Sequence, residues 1–151
     1  MALRIVIGDA TRPEGDGPKV LAHVCNDIGA WGAGFVKAVS ARWPEPERDY
    51  LKAHKDGKLA LGSARFVDVG GGLTVASLIA MHGVRRGKGA PIRYEALCEG
   101  LSQVAAFARE RKSSVHMPRI GCGLAGGRWS KVEPIVRETL RGLDVVVYDL
   151  A

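Results

Sequence analysis

The sequence predicts an α/β sandwich built on a mixed sheet. Apolar runs of strand length alternate with segments of helical periodicity along most of the chain. One run, "VLAHVCN" (Val20–Asn26), is almost continuously apolar, the pattern of a strand covered by helices on both faces. Midway, two strand-like runs meet at Gly70–Gly72, a hairpin signal that brings in an antiparallel strand.

The elements follow in order. "LRIVIGD" (Leu3–Asp9) is a short apolar run ending in a turn, hence a first strand. A polar loop leads to the strand Val20–Asn26, and "DIGAWGAG" is a glycine loop. In "FVKAVSARW", Phe35, Val36, Val39 and Trp43 fall on one helical face. "PEPERDYLKAHKDGK" opens with Pro44 and acids and turns basic toward Gly57, an order that suits a helix dipole and a glycine stop. "SARFVDVGGGLTVASLIAMHG" is the hairpin, and "VRRGKGAP" is a flexible basic loop. The clearest helix lies in "IRYEALCEGLSQVAAFARERK", with Tyr94, Leu97, Leu101, Val104 and Phe107 as its apolar stripe. "SVHMPRI" is the next strand, ending near Pro118. "SKVEPIVRETLRG" carries a capping box from Ser130 to Glu133, Pro134 in the first turn and a stop at Gly142. "DVVVYDL" is the last strand. Residues 1–151 read as one domain without repeats or linkers.

A chain of 151 residues buries roughly 70% of its unfolded surface. Aromatics are few, so the core rests on Val, Leu, Ile and Ala. The net charge of +6 fits either a solubilising surface or attraction to an anionic ligand. No Lys/Arg run exceeds two residues, which argues against a nucleic-acid-binding arm. Cys25, Cys98 and Cys122 show no CxxC or CxxH spacing, so neither a structural zinc nor a disulfide framework is expected. Their odd number fits a reducing cytoplasm. The N-terminal apolar run is broken by Gly8 and Asp9 and resembles neither a signal peptide nor a membrane span. These features predict a cytoplasmic monomer with no metal, cofactor or membrane partner.

In sheets of this kind ligands bind at the C-terminal strand ends, in the loops leading to helices. Three segments occupy such places: Gly8–Ala10, Asp27–Gly34 and Gly121–Gly127. Gly32 and Gly34 carry no Cβ, so backbone N–H groups can approach a bulky anion, and a helix starting at Phe35 adds its positive end. "RIGCGLAGG" obeys the same physics. Neither loop matches the common P-loop or dinucleotide fingerprints. Two such loops in one small domain point to an extended ligand with more than one phosphate, a diphosphate being the natural candidate. Asp9 either accepts from an exocyclic amine or closes an Asx turn.

These segments resemble a known family. "GDA" (Gly8–Ala10) after the first strand resembles the adenine-contacting segment of macrodomains, "HVCNDIGAWGAGF" their distal-ribose loop, and "MPRIGCGL" their diphosphate loop. The order and spacing match along essentially the whole chain, most closely in the branch of the terminal ADP-ribose protein glycohydrolase. The resemblance implies a three-layer α/β/α macrodomain sandwich that binds ADP-ribose. It implies that Asp9, with Ala10, holds the adenine amine and that Asn26 contacts the distal ribose. Gly32, Ala33, Gly34 and Phe35 would close on the distal ribose and diphosphate. Ile120, Gly121, Cys122, Gly123 and Leu124 would form the second diphosphate loop through their backbone N–H groups. Cys122 is then a small loop filler, and no base beside it marks a nucleophile.

The chain also departs from the family's pattern. The best-known enzymes of this branch use a lysine at the end of the fourth strand and an aspartate after "GCGL"; here Met81 and Ala125 stand in those places. A lysyl covalent intermediate at those positions is excluded. The expected activity is hydrolysis of mono-ADP-ribose from glutamyl or aspartyl esters by water held against the ligand's own phosphate. Asp27, His82 and Arg85 are the candidate catalytic helpers: Asp27 to orient water, His82 to titrate near neutrality, and Arg85 to neutralise a leaving carboxylate or terminal phosphate. The alternatives are an ADP-ribose-1″-phosphate phosphatase and a reader that binds ADP-ribose without cleaving it. Partners implied are ADP-ribose, ADP-ribosylated protein and ADP-ribosylated nucleic acid. His23 reads as a hydrogen-bonded core histidine, whereas His54 and His116 show no partner in the sequence.

Overall fold

The computed structural model describes residues 3–84 and 90–150. Its elements are β1 (Leu3–Ile7), β2 (Lys19–Asn26), α1 (Phe35–Arg42), α2 (Glu45–Lys55), β3 (Ala64–Gly70), β4 (Leu73–Met81), α3 (Tyr94–Arg111), β5 (Ser114–Met117), α4 (Trp129–Thr139) and β6 (Val145–Asp149). They form one six-stranded sheet in the order β1-β6-β5-β2-β4-β3. Every neighbouring pair is parallel except β3 with β4, so the sheet is mixed, as the glycine hairpin predicts. Gly70, Gly71 and Gly72 all have positive φ, which lets this turn close tightly.

The period of two in each central strand divides the core into two layers. Val20 and Ala22 of β2, Ala76, Leu78 and Ala80 of β4, and Val145 and Val147 of β6 pack with α3 and α4. Leu21 and Cys25, Val75 and Ile79, and Val146 and Tyr148 face the other way, onto α1 and α2. The result is a three-layer α/β/α sandwich. On α3, Leu97, Leu101 and Val104 are fully buried, while Tyr94 and Phe107 are half-buried at the ends of the stripe. No described helix is long and apolar enough to cross a membrane.

The last helix departs from the sequence reading. It begins at Trp129 with Arg128 as N-cap and has no side-chain cap, so Ser130 lies inside the first turn rather than ahead of it. The Arg128 N–H is taken instead by the Tyr94 hydroxyl, 3.2 Å away. Tertiary contact therefore sets this boundary, and Pro134 falls in the second turn, where its missing N–H leaves one intrahelical bond unmade. The fifth strand is also shorter than "SVHMPRI", ending at Met117 because Pro118 cannot donate to a ladder.

Candidate functional site

Five parallel strands end on the same rim, and the three glycine-bearing segments leave from it. The first follows β1. The Oδ1 of Asp9 accepts from the Thr11 N–H at 2.9 Å and from the Thr11 hydroxyl at 2.7 Å, an Asx-type turn. Arg42, at the end of α1, donates to the same Thr11 hydroxyl oxygen at 3.0 Å. One carboxylate oxygen is thus committed; the other lies 4.0 Å from the Arg12 guanidinium, on a side chain that is partly exposed. Ala10 is buried beside the turn.

The second segment follows β2 and is shaped by Asn26. Its Oδ1 accepts from the N–H groups of Ile28 and Ala30 and from the Tyr50 hydroxyl, while its Nδ2 donates to the Ala30 carbonyl. The side chain is buried and its polar atoms are used within the protein. Tyr50, from α2, is wholly buried and also donates to the Asn26 carbonyl at 2.7 Å. Trp31 anchors the far side, its Nε1 donating to Ser40 Oγ at 2.7 Å. The chain then enters α1 through Gly34, whose φ of 84° and ψ of −150° belong to a region used almost only by glycine. No side chain caps α1, and among the described residues the N–H groups of Gly32, Ala33, Gly34 and Phe35 meet no acceptor.

The third segment follows β5. Gly127 N–H closes the loop on the Gly121 carbonyl at 2.8 Å, and Gly126 N–H reaches the Gly123 carbonyl at 3.0 Å. A Cβ on Gly127 would collide with the Gly121 carbonyl, so this closure requires glycine. Ile120 is buried beneath the loop; Gly123 and Leu124 are exposed, and their N–H groups find no acceptor among the described residues. The two glycine loops meet: a Cβ on Gly34 would lie 2.9 Å from Leu124 Cδ1. Cys122 points inward, its thiol 3.4 Å from the Ile120 carbonyl. Burial pushes that thiol up from its ordinary value, against the opposing pull of the Arg119 guanidinium. A thiol so placed is no nucleophile.

Met81 and Ala125 are both buried in the layer beneath α3 and α4. Ile92 joins them, bridging to Met81 along the backbone and donating its N–H to the Ala125 carbonyl at 3.0 Å.

Two candidate helpers, 55 positions apart in sequence, are brought together. His82 Nδ1 lies 2.8 Å from Asp27 Oδ2, and the Gly83 N–H donates to Asp27 Oδ1 at 2.7 Å. Burial works to raise the Asp27 pKa, but the Gly83 N–H and His82 outweigh it, and the carboxyl is held below its ordinary value. Arg85 lies outside the described residues. The other histidines have structural roles. His23 Nε2 pairs with Ser77 Oγ at 2.8 Å in the core, and burial lowers its pKa to about 4. His116 is buried between Ser114 Oγ and Tyr148 Oη, at 2.8 and 2.7 Å, and so has partners that the sequence does not reveal. The His54 ring packs against the face of Gly29.

Sequence reasoning missed a further group on the rim. Arg119 makes a two-point pair with Asp149 at 2.8 and 2.7 Å and lies over the Trp129 ring at 4.9 Å. The Asp149 carbonyl accepts the Gly8 N–H at 2.8 Å, so this residue ties the first segment to the third. The available signal is modest: Arg119 is the one charge in "MPRIGCGL", and Asp149 ends the apolar run "VVVY". Among the described residues, no group of three or more His, Cys, Asp or Glu is placed to hold a metal.

The chain is 33% identical to the zebrafish chromodomain-helicase-DNA-binding protein 1-like over 97% of its own length. It spans only 15% of that protein and 18% of the mouse counterpart. It is 27% identical to an ADP-ribose 1″-phosphate phosphatase of Lodderomyces elongisporus, covering 85% of each chain. It is 28% identical to the DNA ADP-ribosyl glycohydrolase of Mycobacterium tuberculosis, over 93% of this chain and 40% of that one. Among solved structures, a macrodomain protein from Streptomyces coelicolor superposes with a TM-score of 0.86 at 48% identity, covering 98% of this chain and 99% of the other. The Macro domain profile matches residues 22–136, and with this fold and this rim the chain belongs to the macrodomain family.

Proposed function

We propose that this protein binds ADP-ribose along the rim and hydrolyses mono-ADP-ribose from glutamyl or aspartyl esters on proteins. The observation that carries the reading is the pair of facing glycine loops, each presenting backbone N–H groups with no acceptor among the described residues. A diphosphate between them would receive hydrogen bonds from Gly32–Phe35 and from Gly121, Gly123 and Leu124, aided by the positive end of α1; the Cys122 N–H, expected from the sequence to take part, is already held by the Arg119 carbonyl at 3.1 Å. The second oxygen of Asp9 is available to an adenine amine, while the Thr11 N–H and hydroxyl hold the first and Arg42 in turn holds the Thr11 hydroxyl. Asn26 serves the distal ribose through the loop that it shapes.

Hydrolysis here cannot use the lysine and aspartate of the better-known relatives, because Met81 and Ala125 stand in those places. A carboxylate is a good leaving group, so a water held against the ligand's own diphosphate needs only modest assistance. Asp27, His82 and Arg85 are the candidate helpers. The names of the phosphatase and the DNA ADP-ribosyl glycohydrolase support ADP-ribose chemistry as the theme. ADP-ribosylated protein is the first substrate to test and ADP-ribosylated nucleic acid the second. Met81 and Ala125, both buried in the apolar core, favour as the second reading a domain that binds without cleaving. Incubation with a glutamyl-ADP-ribosylated protein decides between them. Loss of the label with release of ADP-ribose supports the hydrolase; retained label with ADP-ribose binding supports the reader.

A further inference from the structure

We propose that His82 takes the proton from the attacking water and that Asp27 is its positioning residue. The inference rests on the hydrolase reading above. Asn26 of β2 is in register with Met81 of β4, so Asp27 and His82 leave the sheet side by side, each one residue past its strand. The Asp27 N–H donates to the Met81 carbonyl at 3.0 Å, fixing that exit. His82 therefore stands one position beyond Met81, on the ligand-facing rim.

Asp27 itself is a poor candidate for the base. Each of its oxygens already holds a partner: His82 Nδ1 on one and the Gly83 N–H on the other. An ionised carboxylate on Nδ1 selects the tautomer that carries its proton there, leaving the lone pair on Nε2. His82 Nε2 is bonded to no described residue, and the side chain is 63% exposed. The ring is held by its backbone too, the His82 N–H donating to the Pro91 carbonyl at 2.9 Å. Among the described residues, Asp27 is the charged group paired with the ring, and Asp27 and His54 both line one surface depression of about 320 Å³. An imidazole is a far stronger base than a diphosphate oxygen, so the ligand's phosphates orient the water while the ring accepts the proton.

The step balances. The water oxygen bonds to the anomeric carbon of the distal ribose as the bond from that carbon to the ester oxygen breaks. The electron pair leaves on the glutamyl or aspartyl carboxylate. His82 Nε2 receives one water proton and later returns it to solvent, and ADP-ribose departs with a hydroxyl at that carbon.

The test compares wild type with His82→Gln, His82→Ala and Asp27→Asn, measuring ester hydrolysis across pH and ADP-ribose affinity by calorimetry. His82→Gln should lower the hydrolysis rate by ~100-fold or more and change ADP-ribose affinity by less than about threefold. The wild-type rate should rise with pH through one ionisation, and that limb should vanish in His82→Gln. Added imidazole should restore part of the rate to His82→Ala. Asp27→Asn should slow hydrolysis with binding intact, because an amide donating to Nδ1 shifts the ring proton to Nε2. Wild type that hydrolyses the ester, with His82→Gln keeping its rate and pH profile, overturns this inference alone. A loss of affinity equal to the loss of rate overturns it too, by assigning the ring to binding. Wild type that binds ADP-ribose and cleaves nothing overturns the hydrolase reading and the inference together.

Discussion

At the scale of single residues, the rim works by keeping side chains out of the way or tying them down. Asn26 and Asp27 are adjacent polar residues, yet the first is consumed in shaping a loop and the second in holding His82. Their difference is invisible in "CND" and appears only when α2 delivers Tyr50 and β4 delivers His82. Gly34 is the reverse case, legible as a loop glycine from its place before a helix. The structure adds that a Cβ there would point at Leu124, across the gap between the loops. Gly34→Val should weaken ADP-ribose binding roughly fivefold or more, since the required backbone conformation costs a side chain roughly 1–3 kcal/mol. The variant should keep its far-ultraviolet spectrum, and calorimetric titration reads the affinity. An unchanged affinity would mean that this loop does not close on the ligand.

At the scale of elements, the strands and the long helix follow from periodicity because burial is decided by the pattern itself. The run of β2 is buried on both faces, and the stripe of α3 meets the sheet where the spacing places it. What the sequence hides are boundaries and pairings set by distant groups. The start of α4 depends on the Tyr94 hydroxyl, 34 positions upstream, and not on the local capping box. The pairs Arg119 with Asp149 and His116 with Tyr148 join β5 to β6, strands that are neighbours in space and separated by a helix in sequence. The same limit applies to the candidate site. The two glycine loops of the rim are visible as glycine clusters, whereas the acid–imidazole pair requires knowing that β2 and β4 are adjacent and in register.

At the scale of the molecule, two buried histidines link folding to pH. Burial lowers the pKa of His23 from 6.5 to about 4; burial, reinforced by Lys19, does the same for His116. The unfolded chain therefore binds more protons than the native state between those values, and stability rises with pH across that window. It should be fully present above about pH 6.5 and fall as the solution is acidified toward pH 4, by a few kcal/mol in all. Thermal melts from pH 4 to 8 check this. The midpoint should fall below pH 6.5 and stay level above it; a midpoint unchanged from pH 7 to 4.5 would show that neither ring is held neutral by the fold. On the proposed reading, backbone N–H groups from two loops that face each other at Gly34 and Leu124 hold a diphosphate between an adenine site and a ribose site. Calorimetric titration of the wild-type protein with ADP-ribose and, in parallel, with adenosine tests it most directly. Saturable one-site binding of ADP-ribose with far weaker binding of adenosine is the predicted result, and equal affinity for the two, or no binding of ADP-ribose, would contradict it.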